Sequence, residues 1–320
     1  MTLTRNKLMG LSQYLRVPMN LMTKIRAHIS QSTLLAQKLD RVQEALGRIE
    51  RRQTLGSNFN IAQSEFRVFS QWGEDGIIQS ILNILDLKEK VFVEFGVQDY
   101  SESNTRFLLT NNNWSGLVID GSSENINFIK RDPIYWRYNL KAECCFITKD
   151  NINDILLRNG MTGEIGLLSI DIDGNDYWVW KEITCIKPAI VVVEYNARFG
   201  KEQAVTIPYD PKFIRTAAHY SSIYYGASLR ALQILGLEKG YELVGCNTAG
   251  NNAFFIRRDL LISPLRALSV RDAYVCNQFR ESRGVDGSLN FLTQEEEISL
   301  LNDLPLINID LSLDNHRGHV

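Results

Sequence analysis

The sequence predicts a doubly wound α/β fold: a mostly parallel sheet of seven strands whose last strand is antiparallel, preceded by an N-terminal helix. Short apolar runs alternate with helix-compatible segments through the middle of the 320-residue chain. The run 189–194 is almost wholly β-branched, as expected for a strand whose sheet is covered by helices on both faces. The last two runs, 241–246 and 253–257, are separated only by a polar turn, so they must pair antiparallel.

An N-terminal arm, residues 1–57, has the spacing of a coiled-coil helix. Positions 25, 29, 32, 35, 39, 42, 46 and 49 are three or four residues apart, and all of them except Ser32 are apolar. Pro18 precedes the pattern, and Gly56-Ser57-Asn58 ends it. We therefore expect the chain to form a homo-oligomer through this arm. The alternative is a basic amphipathic helix that lies on an anionic membrane surface.

The body of the chain, residues 58–262, begins with a predicted helix at 77–87 and a strand at Val91–Phe95. A helix capped by Ser101 or Ser103 leads to the second strand, 117–119. Later predicted elements are helices at 122–130, 151–158, 177–183 and 228–238, an aromatic loop at 133–138, an irregular insertion at 195–225, and strands at 141–148, 165–172, 189–194, 241–246 and 253–257.

A C-terminal helical extension, residues 263–320, is expected to pack on the body. Its one well-marked helix begins with Thr293 and Glu296, which have the spacing of a capping box, and continues through the apolar residues at 298–301.

Charge is unevenly distributed along a chain of ordinary globular composition, with 44% hydrophobic and 22% charged residues. Residues 1–55 hold ten Lys/Arg against three acids, whereas the remainder holds 25 basic and 34 acidic residues. The body is therefore mildly acidic, and we expect no nucleic-acid partner.

The five cysteines are scattered and include no C-x-x-C pair, so neither a zinc site nor a disulfide framework is indicated. No run of 18 apolar residues occurs. We expect a cytoplasmic protein, with peripheral association at the inner face of the membrane as the alternative that the basic arm suggests.

The first strand and the second strand end in a pattern that predicts a nucleoside site. Glu94 and Gly96 close the first strand, and Asp120 closes the second, 24 positions after Gly96. A glycine at such a turn lets the backbone approach a ligand, and a carboxylate about 20 residues later accepts hydrogen bonds from ribose hydroxyls. Because Gln98 and Tyr100 replace further glycines, a ligand without phosphates is favoured. The alternative is an ordinary turn between a strand and a helix.

Six motifs occur in the order that such a fold requires. They cover about residues 66–260 and read SQWGEDGII, VEFGV, NWSGLVIDG, LLSIDIDGNDYWVW, VVVEYN and KGYELVGCNTAGNNAFFIRRDL. Together with the reversed last hairpin, this sequence resembles the FkbM-like sugar O-methyltransferases, a group of class I S-adenosylmethionine-dependent enzymes with a Rossmann-like fold. The resemblance implies methyl transfer to a sugar hydroxyl in surface-polysaccharide or glycolipid biosynthesis. The expected acceptor is a glycan, a sugar nucleotide or a glycolipid.

The resemblance also implies roles for individual residues. Glu94 would orient the turn and contact the cofactor's amino group, Gly96 would lie against the methionine moiety, and Asp120 would bind the ribose. Gln71, together with Glu74 and Asp75, would lie near the amino-acid end of the cofactor. A plain capping role is the alternative for Gln71 and Glu74.

Acidic residues follow the fourth and fifth strands, where they are expected to converge near the reactive methyl group. Asp171, Glu194 and Asn196 offer oxygen ligands that suit Mg²⁺. The metal-free alternative is general-base catalysis by Asp171, Asp173 or His219. A purely structural role is also open, since Asp-Gly-Asn-Asp at 173–176 is strong turn chemistry.

Further alternatives concern the acceptor and the reaction. Asp171-Ile172-Asp173 is also the triplet of metal-dependent glycosyltransferases, and the body could instead be a non-catalytic scaffold. The segment 279–283 could contact an anionic acceptor. Side chains that could stack on a sugar ring are the tyrosines of the insertion, Tyr209, Tyr220, Tyr224 and Tyr225.

Overall fold

The computed structural model describes residues 19–54 and 59–310. Its strands are β1 (Val91–Phe95), β2 (Ser115–Asp120), β3 (Leu140–Cys144), β4 (Gly163–Ile170), β5 (Ile186–Glu194), β6 (Val205–Thr206), β7 (Tyr241–Cys246), β8 (Asn252–Arg257) and β9 (Ile307–Asn308). Its α-helices are α1 (Met19–Thr54), α2 (Glu74–Ile84), α3 (Arg106–Asn112), α4 (Ser123–Arg131), α5 (Pro133–Arg137), α6 (Ile152–Arg158), α7 (Asp176–Glu182), α8 (Arg215–Ala218), α9 (Leu229–Glu238), α10 (Val270–Ala273) and α11 (Gln294–Asn302).

Seven strands of the described residues form one sheet in the order β3-β2-β1-β4-β5-β8-β7. Strands β1 to β5 pair in parallel, whereas β8 is antiparallel to both of its neighbours, β5 and β7. The predicted reversal of the last strand is confirmed. Strands β2 and β3 lie on one side of β1, and β4 and β5 lie on its other side. The strand order therefore reverses between β1 and β4, where ligands of such sheets bind.

Apolar residues cover both faces of this sheet. Alternate residues of β1 enter different clusters: Val93 and Phe95 pack with Trp180 on one face, and Phe92 packs with Ile81 on the other. All five are almost fully buried. Burial on both faces accounts for the continuous apolar runs in the sequence.

Most element boundaries lie within a few residues of those predicted, and two differ for clear reasons. The helix after β1 begins at Arg106 and not near Ser101, because the loop before it is held by a side chain of β1, described below. The predicted aromatic loop at 133–138 is a short helix, which starts with Pro133 and is capped by the Asp132 carboxylate accepting from the Ile134 amide.

The helix α1 is confirmed as a continuous helix from Met19 to Thr54. The seam positions whose side chains the structure describes are about half-exposed: Leu35, Leu39, Val42, Leu46 and Ile49. Coiled-coil pairing through them stays a prediction. The predicted boundary residues Pro18 and 56–58 lie outside the described residues. None of the described helices has an apolar stretch long enough to cross a bilayer.

The C-terminal extension joins the insertion that follows β5. Strand β9 pairs antiparallel with β6, and the buried Arg198 of the insertion forms ion pairs with Glu281 and Glu297 of the extension at 2.9 Å each. The capping box at the start of α11 is confirmed. The two segments thus pack as one unit beside the carboxyl ends of β4 and β5.

Candidate functional site

A cavity of about 250 Å³ opens at the carboxyl edge of the sheet, where the strand order reverses. The end of β1, the loop after it, the end of β4, the turn before α2 and the start of β8 form its walls. Its lining residues are Gln71, Glu74, Glu94, Phe95, Gly96, Val97, Gln98, Asp99, Ser101, Glu102, Ser103, Asn104, Asp171 and Asn252.

The cavity is lined by acidic groups. Five of its residues carry carboxylates, and among the described residues no lysine or arginine lines it; the five are Glu74, Glu94, Asp99, Glu102 and Asp171. A cationic ligand favours the ionised forms of these carboxyl groups and is attracted to them, and a ligand rich in hydrogen-bond donors is accepted by their oxygens. Phosphate groups are repelled.

The loop after β1 keeps a glycine-type backbone without the glycines. Gly96 has φ +69°, and a Cβ atom at this position would lie 1.7 Å from the carbonyl oxygen of Asp171, so the ends of β1 and β4 can approach only because residue 96 is glycine. Gln98 and Tyr100 also have positive φ, 49° and 66°. The two positions where the sequence lacks the expected glycines therefore retain the left-handed conformation that glycine adopts most readily.

Glu94 holds the loop that precedes α3. Its carboxylate accepts hydrogen bonds from the backbone amides of Asn104 and Thr105, at 2.8 and 3.1 Å, and from the Thr105 hydroxyl. Burial raises the pKa of Glu94 to about 7, and these donors oppose the rise. The orienting part of its predicted role agrees with this geometry, while contact with a cofactor amino group stays a prediction.

Asp120 lies beside the cavity but does not line it. One oxygen accepts the Gln98 amide at 2.8 Å, and the other accepts the Ser122 amide at 2.8 Å and the Asn125 side-chain nitrogen at 3.0 Å. An ionised carboxylate offers about four acceptor positions, and three are occupied. Ribose binding by Asp120 stays a prediction, and contact with both hydroxyls requires the Gln98 amide to give way.

The residues before α2 divide between cavity wall and fold. Gln71, which is exposed, and Glu74, which is buried, both line the cavity. Asp75 holds the backbone: one of its oxygens accepts the amides of residues 68, 69 and 70 at 2.8, 2.7 and 2.7 Å, and the other is buried without a partner among the described residues. Burial raises the pKa of Asp75 to about 6 despite these donors.

Three carboxylates converge at the ends of β4 and β5, and we call Asp171, Asp176 and Glu194 the acid cluster. One oxygen from each lies within 4.8 Å of the others. Burial and the neighbouring negative charges raise the pKa values of Asp171 and Glu194 well above the ordinary range, and burial raises the pKa of Asp176 to about 6. Asp176 accepts the amides of Ile172 and Gly174, whereas Glu194 keeps one buried oxygen without a donor.

Asn196, the third predicted metal ligand, lies elsewhere. Its side-chain nitrogen donates to the carbonyl oxygens of Ile223 and Tyr225 at 2.9 and 3.1 Å, and its oxygen accepts the Arg198 amide. Both polar atoms of its amide therefore have hydrogen-bond partners within the insertion. Asp176, which the sequence suggested only as part of a turn, takes its place in the acid cluster.

Arg215 is a functional candidate that the sequence did not reveal. Its guanidinium bonds to Asp173 at 2.7 Å and to Glu281 of the extension, and it stacks on the Tyr225 ring at 3.7 Å. Its positive charge opposes the rise in pKa of both Asp171 and Glu194. The exposed Asp173 therefore belongs to this ion pair and not to the acid cluster. No local pattern in the sequence links three segments so far apart.

The remaining predicted residues lie outside the cavity lining. His219 is bonded to the Ser221 hydroxyl at 2.7 Å and stacks beside Tyr220, and burial lowers its pKa. Tyr209 donates to Asp150, and Tyr224 donates to the Pro305 carbonyl. These contacts give the insertion its packing, and catalysis by His219 stays a prediction.

Strand order decides the fold class. The sheet is Rossmann-like. Its single antiparallel strand, β8, lies between β5 and β7, which is the topology that the sequence resemblance implied. No family model matches the chain, and no curated protein matches it.

Several solved structures are similar to the chain. One is the N-terminal domain of EvdMO1 with SAH (S-adenosylhomocysteine) bound, at 12% identity and a TM-score of 0.38, over 65% of this chain and 94% of that one. Another is the O-methyltransferase from Bacillus cereus in complex with SAH, at 12% identity and a TM-score of 0.36, over 68% and 89%. A third is an S-adenosylmethionine-dependent methyltransferase from Clostridium acetobutylicum, at 9% identity and 0.36, over 58% and 90%.

Proposed function

We propose that the chain is an S-adenosylmethionine-dependent O-methyltransferase whose cofactor occupies the cavity at the carboxyl edge of the sheet. The charge of that cavity carries the proposal, because five carboxylate residues line it without a lysine or arginine among the described lining residues. S-adenosylmethionine brings a sulfonium and an ammonium group, both of which this surface attracts. A nucleotide sugar would bring a pyrophosphate, which needs basic groups or a cluster of backbone amides. The glycosyltransferase alternative is therefore not favoured.

The proposed acceptor is a sugar hydroxyl of a glycan, sugar nucleotide or glycolipid, and the sequence resemblance over residues 66–260 supports this choice. The hydroxyl oxygen attacks the methyl carbon while the bond from that carbon to sulfur breaks, leaving S-adenosylhomocysteine. Asp171, in the cavity wall, takes the hydroxyl proton. Burial and nearby negative charges raise the pKa of Asp171, which strengthens it as a base once it is ionised.

A divalent cation such as Mg²⁺ fits the acid cluster but not the predicted ligand set. The unpartnered buried oxygen of Glu194 and the converging oxygens of Asp171 and Asp176 are the donors that would hold it. When bound, the cation would lower the pKa of an acceptor hydroxyl. Asn196 does not fit, since its amide is fully bonded within the insertion.

Calorimetry on the intact chain tests the cofactor assignment. We expect S-adenosylhomocysteine to bind, and UDP or GDP with Mn²⁺ not to bind. Asp120→Asn should weaken the binding of S-adenosylhomocysteine, because Asp120 holds the amide of Gln98 in the cavity wall. Binding of a nucleoside diphosphate in preference to S-adenosylhomocysteine would overturn the proposal.

A further inference from the structure

One buried carboxylate holds two asparagines of the β7–β8 hairpin. Glu74 accepts hydrogen bonds from the side-chain nitrogens of Asn247 and Asn252 at 2.7 and 2.8 Å, through a single oxygen. Its other oxygen accepts the Trp72 amide at 2.9 Å. An ionised carboxylate only accepts hydrogen bonds, so both asparagines must turn their nitrogens towards it. The side-chain oxygen of Asn252 therefore faces away from Glu74.

The two asparagines differ in what their oxygens do. The Asn247 oxygen accepts the backbone amides of residues 250, 251 and 252 at 3.1–3.2 Å and so closes the hairpin turn. The Asn252 oxygen is buried and has no hydrogen-bond partner among the described residues, although Asn252 lines the cavity. A buried polar atom without a partner in a native fold requires a reason, and a ligand donor is one. The Asn247 oxygen therefore stabilises the hairpin turn, whereas the Asn252 oxygen is available to accept a hydrogen bond beside the cavity.

The surroundings of this oxygen favour a positively charged donor. Asn252 is the direct cross-strand partner of Glu194, whose side chain also keeps a buried oxygen without a donor. Glu94 and Asp171 line the same cavity. A neutral hydroxyl would satisfy only the amide oxygen. An ammonium group would satisfy it and would also favour the ionised forms of the three carboxyl groups, to which it is then attracted.

We propose that Asn252 binds the ammonium group of the cofactor's amino-acid part through its side-chain oxygen, and that Glu74 is the positioning residue that fixes this orientation. The inference rests on the proposed function, because it takes an amino-acid-bearing nucleoside as the ligand. Gln71, in the same cavity, offers an amide N–H to the carboxylate of that amino acid.

Calorimetry with two ligands tests the proposal on the full chain. S-adenosylhomocysteine carries the amino-acid part, and 5′-methylthioadenosine is a related thionucleoside that lacks it. Asn252→Ala should weaken the binding of S-adenosylhomocysteine about tenfold, which is the effect of losing one hydrogen bond from a charged donor. The affinity for 5′-methylthioadenosine should change by no more than about twofold. Glu74→Gln should show the same selectivity with a smaller loss of about threefold, because a glutamine amide can donate as well as accept.

The controls separate this inference from folding and from the proposed function. Asn153→Ala removes an asparagine that bonds to Glu182 and Thr184, away from the cavity, and should leave both affinities unchanged. Asn252→Ser, which keeps a hydroxyl for Glu74, replaces the alanine variant if that variant unfolds. An equal loss for both ligands, or no loss for either, would overturn the role of Asn252. If the wild-type chain binds neither ligand, the cofactor assignment itself is wrong.

Discussion

The carboxylates at the two sides of the sheet edge have opposite relations to their surroundings. On one side, Asp75, Glu94 and Asp120 each accept three hydrogen bonds from the chain, and each holds a loop or turn in place. On the other side, Asp171 and Glu194 lie among other carboxylates, whose negative charges raise their pKa values. The first set stabilises the fold, and the second set keeps its capacity to bind a ligand or a proton. An acidic residue at the end of a strand therefore does not by itself identify a ligand contact.

Truncation of one residue from each set should give the largest contrast. Asp75→Ala leaves three buried backbone amides without an acceptor and should lower the free energy of unfolding by about 3–5 kcal/mol. Asp171→Ala removes a buried carboxyl group whose ionisation is opposed by burial and by its acidic neighbours, and it should leave stability unchanged or raise it by about 1 kcal/mol. Urea denaturation at pH 7.5 measures both. A similar loss in the two variants would contradict the division into two sets.

The pH dependence of stability should report the buried carboxyl groups. The pKa of Glu94 is about 7 in the folded chain, above its ordinary value of 4.5, so the folded state binds this proton more tightly than the unfolded state. The stability that it contributes is complete below about pH 4.5 and is lost as the pH rises through 7. Glu94→Gln should therefore reduce the fall in unfolding free energy between pH 4.5 and 8 by about 3 kcal/mol.

Denaturation curves at several pH values measure this slope. Asp75 and Asp176, whose pKa values are raised to about 6 by burial, should preserve part of the fall in the Glu94→Gln variant. Glu102→Gln, at an exposed position on the same cavity, is the matched control and should leave the slope unchanged. Stability that rises with pH over this interval in the wild-type chain would contradict the prediction.

Features set by residues that are close in the sequence could be predicted from it, whereas contacts between distant segments could not. The positions of the strands along the chain and the antiparallel pairing of β7 with β8 follow from apolar runs and turn residues that neighbour one another in the sequence. The partners of Arg215 lie on three separate segments, and Asn252 meets Glu74 across 178 positions. Such contacts depend on how loops pack, which leaves no periodic signal in the sequence.

The same limit explains the two site residues whose surroundings differ most from expectation. Asn196 follows Glu194 by two positions, and this spacing predicted that the two side chains share a face. Strand β5 ends at Glu194, and Asn196 caps the short helix Ala197–Phe199. The alternation of a strand does not extend past its last residue, and Asp176, the first residue of α7, completes the acid cluster.

A smaller effect than those on stability is expected for the preference of the cavity for a positively charged ligand over a neutral one. Asp171→Asn removes from the wall a carboxyl group that a bound sulfonium would keep ionised. It should weaken the binding of S-adenosylmethionine, which carries the sulfonium, about fivefold relative to the binding of the neutral thioether S-adenosylhomocysteine. Calorimetry of both ligands at pH 7.5 provides the ratio. Asp99→Asn, in the loop after β1, is the control for a change of charge farther from β4. An unchanged ratio in the Asp171 variant would place the sulfonium away from the acid cluster.

The smallest expected effect concerns the backbone of the loop after β1. Gln98 has φ +49°, a conformation that costs a residue with a side chain about 1–2 kcal/mol and costs glycine little. Gln98→Gly relieves this strain but gives the unfolded chain more conformational freedom. The free energy of unfolding should therefore rise by only about 0.5 kcal/mol. Glu102→Gly, in the same loop outside the left-handed region, should instead lose about 1 kcal/mol. Thermal unfolding measures both, and a loss in the Gln98 variant would mean that its side chain, not its backbone, stabilises the turn.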